Sequence, residues 1–170
     1  ADKLSFFRKR NLPVKDIVFV SLGNISPRKG YETSIEAIQQ LRRDYESMIY
    51  FIVGGKHHQE TEEFDRLSKI IQKNNLEDTV IITGRSNEVR DYLKVCDIYL
   101  MPSVTEGFGI SLIEALAMEK IVVVSDISPF KEIIDDNING FFFNTGNSKR
   151  LEVKIKDVIG LSIGKQREVK

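Results

Sequence analysis

Two carboxylates, Glu106 and Glu114, stand eight positions apart around the run Gly107-Phe108-Gly109-Ile110-Ser111-Leu112-Ile113. Glu106 falls in a loop where Gly107 and Gly109 let a backbone come close to a ligand. After Gly109, the apolar residues Ile110, Ile113, Leu116 and Ala117 recur at helical spacing. A helix that starts there offers unpaired N–H groups and the positive end of its dipole, a setting suited to an anion such as a phosphate. A carboxylate beside such a site can accept hydrogen bonds from sugar or ribose hydroxyls. Glu114 has a second reading. Ser111-Leu112-Ile113-Glu114 fits the S-x-x-E capping box, in which serine and glutamate satisfy the first N–H groups of a helix. Both readings stay open on sequence alone. Glu106 is harder to explain as anything but a ligand contact, although a surface-turn glutamate has the same spelling.

A cation is available for the same anion. Gly23–Gly30, spelled GNISPRKG, is a turn-rich loop after an apolar run, and it puts Lys29 just ahead of a helix. A lysine there meets a phosphate as a mobile point charge, or it is simply solvated. The loop is neither a G-x-G-x-x-G dinucleotide fingerprint nor a P-loop ending in G-K-[ST]. His57 and His58 are adjacent, but no Cys, second His pair or H-E-x-x-H supports a metal, so they read as loop residues. No G-x-S-x-G elbow or Ser-His-Asp set is present.

The elements that must hold these residues alternate. Short apolar runs predict strands at 17–20, 48–53, 79–83, 98–101, 121–124 and 140–143. Helical spacing predicts a helix after Gly30 with Ile35, Ala37, Ile38 and Leu41 on its apolar face, and others at about 60–74, 87–96, 110–118, 129–134 and 148–159. Pro129 suits a first helical turn. Alternation of this kind predicts an α/β fold, doubly wound and Rossmann-like, with a six-stranded parallel sheet and helices on both faces. Ligands of such sheets bind beyond the carboxyl ends of the strands. The loops to watch are therefore 23–30, 54–58, 84–87, 102–109 and 126–129. Residues 1–16 read as a lead-in or linker segment with room for one helical turn, 17–160 as the domain, and 161–170 as a frayed polar tail. No internal repeat or low-complexity stretch appears.

Size and charge fit that picture. The 170 residues can build one core. They are 41% apolar and 29% charged, with 25 basic and 25 acidic side chains. A neutral chain lacks the basic surplus of a nucleic-acid binder, and no run approaches a membrane span. Arg8, Lys9 and Arg10 could touch an anionic membrane surface, but a solvated face explains three charges as well. The single Cys96 reads as a buried structural thiol and suits a reducing compartment.

Taken in register, these residues resemble the family-four retaining glycosyltransferases of GT-B fold. Glu106 through Glu114 and Ala115 resembles that family's E-x7-E region. Gly23 with Lys29-Gly30 resembles its phosphate loop, Gly84 its loop near the nucleobase, and Pro102-Ser103 the lead into the first glutamate. Asp126-Ile-Ser-Pro-Phe-Lys-Glu132 and Asn139-Gly140 resemble later landmarks. The resemblance covers about residues 1–160.

It implies the C-terminal, donor-binding half of a two-domain enzyme, whose N-terminal acceptor half is absent from this chain. The enzyme would move a hexose from a nucleotide-diphosphate sugar to a sugar or lipid-linked acceptor, with no cofactor and no metal. Glu106 would meet the sugar as the catalytic residue, Glu114 the ribose, and Lys29 the diphosphate. Gly23, Asn24, Gly84, Arg85, Gly107, Phe108, Gly109, Ile110, Ser111 and Leu112 would complete donor binding. A cytoplasmic enzyme is implied, with peripheral attachment to the inner face of the membrane as an option.

Three departures from the family pattern stand out. Asn24 replaces the usual arginine, which removes a phosphate ligand unless Arg28 reaches in. Glu119 replaces a glycine after the central helix, implying a helix end made without a left-handed glycine. Ile121 replaces a proline. Asn24 favours one alternative, a non-catalytic nucleotide-binding partner module; another, a GT-B sugar-nucleotide epimerase, would need different residues in the absent half.

Overall fold

The structure, a computed structural model, describes residues 2–55 and 61–168. His57 and His58 lie outside the described residues. Six strands form one sheet: β1 (Ile17–Leu22), β2 (Met48–Val53), β3 (Val80–Gly84), β4 (Ile98–Met101), β5 (Ile121–Ser125) and β6 (Phe141–Phe143). Their order is β3-β2-β1-β4-β5-β6, and every pairing is parallel. Between β1 and β4 the winding reverses direction, leaving a crevice at the carboxyl ends of those two strands.

Side chains alternate across each strand, so each apolar run serves two cores. Phe19, Leu100 and Val123 face one side. There α2 (Tyr31–Leu41), α3 (Thr61–Lys73) and α7 (Ser148–Glu168) supply Ile35, Ile38, Leu67, Ile71, Leu151 and Ile155. Val18, Val20, Tyr99 and Val122 face the other side. There α1 (Lys3–Lys9), α4 (Val89–Val95), α5 (Ile110–Ala117) and α6 (Ser128–Lys131) supply Phe6, Phe7, Leu93, Ala115 and Phe130. Burial on both faces is why the strands read as continuous apolar runs.

Two expectations need correction. Residues 1–16 are not merely a lead-in: Asp2 caps α1, its carboxylate accepting from the Ser5 N–H at 2.7 Å. Phe6 and Phe7 are fully buried, and Phe6 packs edge-on against Phe51 and Tyr92 with centroids 5.7 and 5.1 Å apart. The last helix does not stop at 159 but runs on to Glu168.

Smaller shifts occur at element ends. Pro129 is the second residue of α6, after Ser128, and β3 starts and ends one residue later than its pattern suggested.

Candidate donor-site cleft

At Gly23 the chain leaves β1 with φ +145°, and the end of Lys29 lies directly over it. A Cβ at position 23 would come within 2.8 Å of Lys29 Cε and 3.0 Å of its Nζ. Lys29 ends a short 3-10 turn, Pro27–Lys29, and is buried. Gly30 follows in the left-handed region, where a Cβ would sit 2.1 Å from the Pro102 carbonyl. That close approach fixes the turn against the end of β4. A second tie is the Val104 N–H, which donates to the Arg28 carbonyl at 2.8 Å. The two loops are thus one body.

Their charges meet at Glu106, whose side chain is 7% exposed. Lys29 Nζ donates to its Oε1, Ser103 Oγ donates to the same oxygen at 3.1 Å, and Arg28 Nη1 reaches Oε2 at 3.2 Å. Burial raises the Glu106 carboxyl. The hydrogen bond and charge of Lys29, helped by Ser103 and Arg28, outweigh it and hold the group below the usual carboxylate range. Arg28 therefore borders the cleft through its bond to Glu106.

Helix α5 begins at Gly109, which has φ +80° and no side chain to bond back. Among the described residues the N–H groups of Ile110 and Ser111 have no acceptor, so they remain available to an anion. Ser111 is the second helical residue, not the N-cap. The capping-box reading of Glu114 therefore fails. The carboxylate of Glu114 has no hydrogen-bond or ion-pair partner among the described residues and borders the same cleft.

The cleft encloses about 550 Å³. It gathers Gly23, Asn24, Lys29, Arg85, Glu106, Phe108, Gly109, Ile110, Ser111 and Glu114 from the predicted set. Leu112 does not belong there: it is fully buried beneath α5, and its N–H is taken by the Gly109 carbonyl at 2.9 Å. Gly84, with φ +75°, and Gly107 adjoin the cleft without lining it.

Sequence reasoning named Ser86 only within the 84–87 loop and passed over Leu22, Val53, Val89 and Met101, which also line it. All lie at or just beyond a strand's carboxyl end, and that position was the signal available. Two other anticipated features serve the fold instead. Asp126 ties β5 to the turn after β6, accepting from Thr145 N at 2.9 Å and Oγ1 at 2.6 Å. Asn139 closes a turn with Asp135 N and Ile133 O. No cluster of three or more His, Cys, Asp or Glu that could hold a metal occurs among the described residues.

A doubly wound sheet, with a lysine, an arginine and a free helix start converging at its switch point, defines a Rossmann-like half of a GT-B protein. Residues 2–169 match the family Glycosyl transferases group 1, and the chain belongs to that family. HepE of Anabaena, solved with UDP and glucose, superposes with a TM-score of 0.84 at 25% identity, over 92% of this chain and 42% of that one. The amylovoran biosynthesis glycosyltransferase AmsK of Erwinia amylovora is 30% identical over 84% of this chain and 37% of its own length. An N,N'-diacetylbacillosaminyl-diphospho-undecaprenol alpha-1,3-N-acetylgalactosaminyltransferase of Campylobacter jejuni is 29% identical, over 88% and 37%. The chain therefore spans little more than a third of the length of the curated relatives it matches.

Proposed function

We propose that this chain is the donor-binding domain of a retaining glycosyltransferase. The whole enzyme transfers a hexose from a nucleotide-diphosphate sugar to a sugar or lipid-linked acceptor, in polysaccharide or glycolipid assembly. The observation that carries this reading is the convergence of Lys29, Arg28 and the unpaired Ile110 and Ser111 N–H groups on one cleft. Four donors of positive character in one place match a diphosphate. The ligand in HepE and the names of the Erwinia and Campylobacter relatives favour the same class of donor and acceptor.

The chemistry follows from the charges. As the sugar leaves, negative charge grows on the diphosphate, and preorganised cations and N–H groups stabilise it without reorganising. Lys29 and Arg28 supply that charge without a metal. Glu114 accepts from ribose hydroxyls. Glu106 has an acceptor position left on Oε2 beside Arg28, and it takes a hydroxyl of the donor sugar. The full enzyme works in the cytoplasm, with peripheral contact to the inner membrane face where its acceptor is lipid-linked.

Calorimetric titration of this chain with UDP, GDP and ADP tests the reading. Binding of at least one, unchanged by EDTA, is expected. No binding by any of the three at millimolar concentration overturns it.

A further inference from the structure

The cleft has a second end, walled by Val53, Gly54, Gly55, Arg85, Ser86 and Val89. Neighbouring strands lie about 4.8 Å apart, so β3, two strands from β1, stands roughly 10 Å from the Lys29 end. That is about the reach of a nucleoside from its diphosphate. The outer wall at this end is the short loop between β3 and α4. A loop of this kind is mobile unless something holds it.

What holds it is Glu88, set between the cleft residues Ser86 and Val89. Its N–H donates to Ser86 Oγ at 3.0 Å, and its carbonyl accepts from Asp91 N at 2.9 Å to start α4. Its carboxylate is gripped from the far side by Lys9 and by Arg10 Nη2, the latter at 2.6 Å. Arg10 is itself immobilised. The guanidinium lies 3.8 Å from the Phe6 ring centroid and 4.7 Å from that of Tyr92. Nη1 donates to the Phe6 carbonyl at 3.2 Å and Nε to the Tyr92 hydroxyl at 3.3 Å. An exposed ion pair contributes little, because both side chains must be frozen to make it. Here stacking and hydrogen bonds have already frozen Arg10, whose side chain is only 15% exposed. The pair therefore transmits the position of α1 to the loop.

We propose that Arg10 and Glu88 are positioning residues for the nucleoside end of the donor. They hold the β3–α4 loop so that Arg85, Ser86 and Val89 meet the base and ribose, and neither lines the cleft itself. The proposal rests on the nucleotide-sugar reading above.

The test uses Arg10→Met, which keeps the stacked volume but removes the charge, together with Arg10→Lys and Glu88→Gln. Each is titrated with whichever of UDP, GDP and ADP the unaltered chain binds tightest, and with pyrophosphate, which lacks the nucleoside. Arg10→Met and Glu88→Gln are expected to weaken the nucleoside diphosphate roughly tenfold while pyrophosphate stays within about twofold, and Arg10→Lys to recover part of the loss.

Thermal melts run in parallel. If Arg10→Met does not fold, Glu88→Gln, at a more exposed position, decides the matter. Nucleoside diphosphate affinity unchanged in both, or an equal loss for both ligands, overturns the proposal. An unaltered chain that binds none of the three nucleotides overturns the donor reading and this proposal with it. An unaltered chain that binds, with variants that match it, overturns this proposal alone.

Discussion

Glu106 and Lys29 neutralise each other where the diphosphate is proposed to sit, and both are largely shielded from water. Removing one partner of such a pair leaves the other buried and unpaired, which costs more than the pair contributes. Glu106→Gln is therefore expected to lower stability by roughly 1–3 kcal/mol at pH 7. The sign of its pH dependence follows from the depressed carboxyl of Glu106. A carboxyl whose folded value is lowered stabilises fully above its unfolded value, about 4.3, and loses that stabilisation as pH falls through the folded value. The melting difference between the native chain and Glu106→Gln should thus be largest near neutrality and close below about pH 4.3. A difference that stays constant from pH 7 to pH 3 counts against this account. In the full-length enzyme the same change should cut transfer by about two to three orders of magnitude. The residue scale is also where sequence reading was most even-handed. It could not separate a solvated Lys29 from a buried one, because burial depends on Gly23 passing beneath and Pro102 closing beside it.

Helix α5 shows why some elements were legible and others were not. Its apolar spacing placed it between β4 and β5, and the strand runs at 17–20, 48–53, 98–101 and 121–124 did the same for the sheet. These signals are local and repeat along the chain. By contrast, α1 has seven residues and two adjacent phenylalanines, too short for a periodic pattern. It is helical because Phe51 and Tyr92, far along the chain, bury its apolar side. The Arg10–Glu88 contact, 78 residues apart, leaves no mark in either segment.

The carboxyl end of α5 is closed without a glycine. Glu119, in place of a glycine, still takes the left-handed conformation, with φ +56°. Lys120 N donates to Ala115 O at 3.0 Å and Glu119 N to Leu116 O at 2.9 Å, which is a Schellman closure. A non-glycine residue is strained there, and glycine relieves that strain at some cost in chain entropy. Glu119→Gly should stabilise the chain by about 0.5–1 kcal/mol in denaturant unfolding. Destabilisation would mean that the glutamate side chain makes a contact outweighing its strain.

At the scale of the molecule, the cleft is one-sided. Phe108 and Ile110, 65% and 68% exposed, stand on its rim beside the unpartnered Glu114. Lys29, Arg28 and the start of α5 line this one cleft. The chain also spans little more than a third of its curated relatives. Binding and turnover should therefore separate. On the proposed reading, donor affinity depends on contacts present in this chain. Transfer also needs an acceptor held against the donor sugar, and orientation of that kind is worth about five or more orders of magnitude in rate. The isolated chain should saturate with a nucleoside diphosphate yet release none from a nucleotide sugar above the spontaneous rate. The full-length protein, given its acceptor, should release it readily. A coupled assay of nucleoside diphosphate release, run on both at equal donor occupancy, makes the comparison. Turnover by the isolated chain within tenfold of the full-length protein would show that acceptor positioning resides in this half, and the division of labour argued here would be wrong.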